Sequence, residues 1–246
     1  MVNKVSFERL GIVVAMDQEI AHFLGDLSNE FVTSTGPTLE TMIATLSIVV
    51  YRCGIGKVNA ALAATRLIDK FGCDAILVVG ISGSLDPFIG LGDVVVASGA
   101  FQHDFDLRPI HKSAGILPGC EIPVIDSDSH LSERIVTAAM GAFLTFESQL
   151  VGSQILLGTV ASGDQIIATD QDKNSILNIV RDTLCVDMET GAVAQICKSA
   201  LVPWTALRVI SDFADSNFDP ESVLRFARQD ASPFISATLT AFANDN

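Results

Sequence analysis

A chain of 246 residues fits one large α/β domain, and its length alone also allows two. With 49% of its residues apolar it can bury a sizeable core, which excludes general disorder. The formal charge of −14 argues against nucleic acid or an anionic membrane as the main partner, and no Lys/Arg cluster offers a pocket for phosphate-rich ligands.

In chain order, short β-branched runs alternate with helical patterns. LGIVVAM, TLSIVVYRCG, AILVVGIS, DVVVASGAF, ILLGTVASGD, LCVDME and TALRVIS read as strands. Several are continuous rather than alternating, as in strands buried on both faces. Lys57 to Lys70 places Ala and Leu at helical spacing, with Gly72 as a stop. Ser129 to Leu144 reads as a helix capped by Ser129, with Glu133 in its first turns. Asp219-Pro220-Glu221 combines cap, first-turn proline and early acid, and predicts a helix to about Phe242 with a kink or break at Pro233. Phe101 to Asp128, with prolines at 109, 118 and 123, is the longest irregular stretch, of the kind that is functional or covers a neighbour. The alternation predicts one three-layer αβα domain over 1–246 with a mostly parallel mixed sheet, whose ligands bind at the carboxyl ends of the strands.

The five cysteines (Cys53, Cys73, Cys120, Cys185, Cys197) are odd in number and form no CxxC pair, so neither zinc nor a disulfide framework is expected. Reduced, mostly buried thiols fit a cytoplasmic protein. The start MVNKVSFERLGIVVAM puts charges before a short apolar run that leads into a strand, unlike a signal peptide, and no run reaches membrane-span length.

Two acids stand at strand ends near Arg208: Glu189 in CVDMETGAVAQIC and Asp212 in TALRVISDFAD. That pairing suits chemistry that builds positive charge on a sugar. Glu19, in AMDQEI, opens a helix, where an acid serves the helix dipole or a site; Glu189 carries the same two readings. Asp212 closes an apolar strand and wants a specific partner, with Ser211 placed to orient it. Cys53-Gly54-Ile55-Gly56-Lys57 and Gly80-Ile81-Ser82-Gly83-Ser84 are glycine-flanked strand ends that match neither a phosphate loop nor the dinucleotide fingerprint. Gly90 to Asp93 reads as a plain turn. The four histidines show no metal-ligand spacing, and His103, Asp104 and Asp106 read as surface or subunit-contact residues. No GxSxG elbow or evident Cys–His pair points to nucleophilic catalysis.

Taken together, GIVVAMDQEI, CGIGKVNAALAAT, VGISGSLDPFIGLGDVVV, FQHDFD, LPGC, VASGDQII, VDMETGAVAQIC and LRVISDFAD resemble, in order and spacing, the 5′-methylthioadenosine/S-adenosylhomocysteine nucleosidases of the purine nucleoside phosphorylase superfamily. The resemblance implies hydrolysis of the N-glycosidic bond of a 5′-thio-substituted adenosine to adenine and a thioribose, without metal or redox cofactor. It places Asp212 as the acid that protonates adenine N7, Glu19 as the holder of the attacking water, and Glu189 on the ribose hydroxyls, with Met188 and Arg208 beside it. Ser211 and Gly83 join the site. Ile167 binds the adenine edge through its main chain, and Met16, Ile55 and Phe218 line the 5′-alkylthio pocket, although the loop before Phe218 is shortened. The family is dimeric, so a homodimer is expected, with Leu107 and Ile110 reaching the neighbour's pocket. Two positions depart from the family pattern: Ile166 replaces an aromatic residue on the adenine face, and Ile81 replaces a small hydroxyl residue.

Three other readings are weighed. A phosphorylase needs arginines on phosphate; related phosphorylases carry them near the positions held here by Glu19 and Val78. An inactive nucleoside-binding or storage homologue would lack the acids. A nucleosidase for another 5′ group, such as a futalosine-type nucleoside, keeps the same chemistry.

Overall fold

In a computed structural model of the chain, residues 7–26, 33–35, 38–108, 110–111, 113–145 and 153–246 are described. The first six residues of the amino-terminal run and Pro109 lie outside them. The chain passes through β1 (Arg9–Val14), α1 (Asp17–Asp26), β2 (Thr33–Thr35), β3 (Thr38–Ile43), β4 (Leu46–Arg52), α2 (Lys57–Asp69) and β5 (Ala75–Ser84). It continues through β6 (Val94–Gln102), β7 (Ile125–Asp126), α3 (Ser129–Thr145), β8 (Ile155–Ser162), α4 (Asp170–Leu177) and β9 (Thr183–Asp187). It closes with α5 (Thr190–Ala200), β10 (Trp204–Asp212), α6 (Pro220–Phe226), a π-helical turn (Ala227–Ala231) and α7 (Ser232–Asn244).

The strands form one mixed sheet built from two parallel groups. Strands β4, β1, β5 and β10 run parallel as neighbours, and so do β6, β8 and β9. Antiparallel pairings of β10 with β6 and of β5 with β9 join the groups. Strand β5 therefore pairs with both β9 and β10, and β5, β10, β6, β8 and β9 close into a ring. The β2–β3 hairpin extends the open edge beyond β4.

Strand β5 shows why the sequence runs are continuous. Leu77 and Val79 pack into a core with Ile20, Phe23, Leu131 and Phe234, on the side of α1, α3 and α7. Ile76 and Val78 pack on the other side with Ala60, Ala64, Leu67 and Val193 of α2 and α5. A strand with helices on both faces has no solvent side, so its run from Ala75 to Val79 is apolar throughout. The three-layer arrangement follows.

One local expectation changes. The cap of α3 is Asp128, whose Oδ1 accepts from the Leu131 N–H at 2.7 Å, while Ser129 is the first helical residue. An aspartate one position earlier reaches the same orphan amides. At the carboxyl terminus the kink or break expected at Pro233 takes the form of a widened turn. The π turn precedes Ser232-Pro233, because a proline has no N–H to donate and crowds the carbonyl four residues before it. No helix among the described residues is long and apolar enough to cross a membrane.

Candidate active site

The carboxyl ends of β1, β5, β9 and β10 converge on a cavity of about 300 Å³. Glu19 enters from the first turn of α1. Its Oε2 accepts from the Met16 N–H at 2.8 Å, the reach of a third-position helix acid back to its cap residue. Its Oε1 leaves the helix and accepts from the Ile81 N–H on β5 at 2.9 Å. The side chain is buried, and burial pushes its pKa above the ordinary value even though Arg208 and the two amides pull it down.

Arg208 lies behind the cavity wall, 1% exposed, in the middle of β10. Its Nη2 sits 2.5 Å from Asp187 Oδ2 and 3.5 Å from Glu189 Oε2, and it also donates to Thr190 Oγ1 at 3.0 Å. Asp187 ends β9 and is saturated: Ser162 and Thr190 hydroxyls and the amides of Glu189 and Thr190 all donate to it. This ionic floor fixes the start of α5, where Glu189 is the cap residue but makes no capping bond. Its carboxylate is released instead to the cavity, with Oε1 held by the Gly56 N–H at 2.9 Å. Burial raises its pKa to about 7, opposed by Arg208 and assisted by Asp187.

Asp212 stands at the end of β10, past an irregularity between Ile210 and Asp212 that leaves Ser211 out of register. Ser211 Oγ donates to Asp212 Oδ2 at 2.8 Å, and the Ala214 N–H donates to Oδ1 at 2.9 Å. Gly83 is required beside it: a Cβ there would stand 2.9 Å from Asp212 Oδ1.

Of the residues expected in the site, Met16, Glu19, Ile55, Gly83, Ile166, Ile167, Met188, Glu189, Ser211, Asp212 and Phe218 share this one cavity wall. Arg208 supports the wall without lining it. Leu107 is half-buried and Ile110 is 83% exposed, and neither lines the cavity of its own chain. Pro220, Val223 and Leu224 of α6 also line the cavity and were not expected from sequence. A helix start after Asp219 was legible there, but not that its apolar side turns toward the strand ends. His103 departs from its surface reading. Its ring is buried against Gly163, and burial pushes its pKa down. No group of three or more His, Cys, Asp or Glu among the described residues is placed to hold a metal.

A family model described as the phosphorylase superfamily matches residues 9–243. The 5′-methylthioadenosine/S-adenosylhomocysteine nucleosidase of Mycobacterium bovis is 33% identical over 227 residues, covering 85% of this chain and 88% of that one. The crystal structure of the Neisseria meningitidis nucleosidase in complex with methylthio-immucillin-A superposes with a TM-score of 0.84 at 28% identity, covering 97% of this chain and 100% of that chain. The native futalosine hydrolase of Helicobacter pylori superposes with a TM-score of 0.83 at 26% identity, covering 97% of this chain and 98% of that chain. The fold is thus that of the phosphorylase superfamily. Within it, the chain belongs to the 5′-methylthioadenosine/S-adenosylhomocysteine nucleosidase family.

Proposed function

We propose that the protein hydrolyses the N-glycosidic bond of 5′-methylthioadenosine and S-adenosylhomocysteine, releasing adenine and the thioribose. The observation that carries this reading is the presence of Glu19, Glu189 and Asp212 on one small cavity wall. Asp212, oriented by Ser211 and the Ala214 amide, delivers a proton to adenine N7, which turns the base into a neutral leaving group. Glu19 holds the water that attacks C1′. Its lifted pKa suits a group that takes a proton from that water. Glu189 accepts from the ribose hydroxyls, and the carboxylates together stabilise the oxocarbenium-like sugar. Arg208 acts from behind by holding Asp187 and Glu189. Ile167 offers its main chain to the base edge and Ile166 its side chain to the base face.

Met16, Ile55 and Phe218, extended by Pro220, Val223 and Leu224, give the cavity an apolar end that suits a methylthio group. We read residues 1–246 as one domain of a cytoplasmic homodimer in which Leu107 and Ile110 serve the neighbour's pocket. The outward positions Val58 and Leu62 of α2, 79% and 46% exposed, support such a contact. The free state of all five cysteines fits a reducing compartment.

Hydrolysis is favoured over phosphorolysis because the cavity presents carboxylates to an incoming anion. The arginine beneath it is engaged by Asp187 and Glu189, and Val78 is packed in the core. The test is the sugar product formed in phosphate buffer: free thioribose is expected, since water supplies the group that bonds to C1′. A sugar 1-phosphate in phosphate buffer would replace this reading with a phosphorylase.

A further inference from the structure

Two turns form part of the cavity wall, and a circuit of hydrogen bonds closed by one ion pair ties them together. The turn from β4 into α2 carries Ile55, and its Gly56 N–H holds Glu189. The turn after β8 carries Gln165, Ile166 and Ile167. Between them the Lys57 N–H donates to Asp164 Oδ1 at 2.8 Å, and the Asp164 N–H donates to Asp104 Oδ2 at 3.0 Å. Lys57 Nζ closes the circuit, donating to Asp104 Oδ1 at 2.6 Å and to Gln102 Oε1 at 3.1 Å.

The two charged side chains are mostly covered, 17% and 24% exposed, so this pair is less screened than a surface one. Burial pushes the Asp104 carboxyl up, but the Lys57 hydrogen bond, the Asp164 amide and the Lys57 charge outweigh it, and its pKa lies below the ordinary value. Neither Lys57 nor Asp104 lines the cavity.

We propose that Lys57 and Asp104 are positioning residues for the nucleosidase reaction, their ion pair fixing the Ile55–Gly56 turn and the Asp164–Ile167 turn at one separation. The ribose side of the site, held through Gly56 and Glu189, and the base side, carried by Ile166 and Ile167, are thereby set to a single nucleoside width. This rests on the reading of the cavity as a nucleoside site. Losing the clamp widens the ground-state grip without touching the acids that act on the reacting bond, so its signature is in KM rather than kcat.

The experiment compares the full-length chain with Lys57→Met, Lys57→Arg, Asp104→Asn and the Lys57→Met/Asp104→Asn double variant. Thermal melting, methylthioadenosine kinetics and hydrogen exchange at residues 54–57 and 163–167 are measured on each. KM is expected to rise about tenfold in Lys57→Met and Asp104→Asn, with kcat within about twofold. Exchange should quicken at both turns together, and the double variant should be no worse than either single one, as coupled partners require. Lys57→Arg should bring KM back to within about threefold of the original. An unchanged KM in folded Lys57→Met, additive losses in the double variant, or a fall in kcat that merely follows the melting temperature would overturn the proposal. If the unmodified protein releases no adenine, the functional reading fails alone. The clamp is then judged by exchange, and unaltered exchange at either turn in Lys57→Met rejects it.

Discussion

Arg208 and Gly80 face each other across the β10–β5 ladder, and the space a Cβ at position 80 would fill is taken by the Arg208 guanidinium and the Glu19 carboxylate. A methyl group there would stand 2.6 Å from Arg208 Nη1. Gly80→Ala is therefore expected to displace both side chains, costing about 1–3 kcal/mol of stability and most of the turnover. Thermal melting and adenine release measure the two. A variant with native stability and activity would show that Glu19 and Arg208 are not held by this contact.

Asp212→Asn keeps the size and the Ala214 contact but cannot deliver a proton. Turnover should fall by about 10²-fold or more while adenine still binds. Retention of most activity would remove Asp212 from the role of acid. Glu19→Gln should likewise reduce kcat far more than affinity. Equal loss of both would leave Glu19 only its helix-capping role.

The pKa of about 7 at Glu189 makes two pH predictions of opposite kind. Protonated Glu189 no longer accepts from both ribose hydroxyls, so kcat/KM should fall as pH drops below about 7, and Glu189→Gln should lack that acid limb. Stability runs the other way. The folded carboxyl keeps its proton above its ordinary 4.5, so between 4.5 and about 7 the folded state binds more protons than the unfolded one. The Glu189 contribution is thus most favourable at the acid end and is lost as pH rises through that window. Melting temperatures of the original and Glu189→Gln proteins across these pH values check the sign.

Ile166 is 60% exposed on the cavity wall, where the resemblance leads one to expect an aromatic ring. Ile166→Phe should restore stacking on the base and tighten adenine binding by about 1 kcal/mol, roughly fivefold. Calorimetry with adenine reads this directly, and unchanged affinity would place the base elsewhere on the wall.

Much of this was legible in the residues, for stated reasons. Continuous runs such as AILVVGIS read as strands covered on both faces, and β5 is one. Asp212 stood out because an acid that closes an apolar strand needs a partner, whereas Glu19 and Glu189 kept a helix-dipole reading beside the site reading and took roles only from the family resemblance. The closure of β5, β10, β6, β8 and β9 into a ring was not legible, because strand order is a long-range property that local periodicity does not encode. The polar floor of Ser162, Asp187 and Thr190 was equally hidden, since Ser162 is distant in sequence from the other two and meets them only once β8 and β9 pair. His103 was misread for the same reason: a histidine in an irregular stretch looks exposed until Gly163 is brought against its ring.

The most direct test of the nucleosidase account is release of free adenine from 5′-methylthioadenosine by the purified protein, in buffer with and without phosphate. The account predicts equal release in both, carried by Glu19 and its water. Release only when phosphate is present would contradict it, and so would none in either buffer.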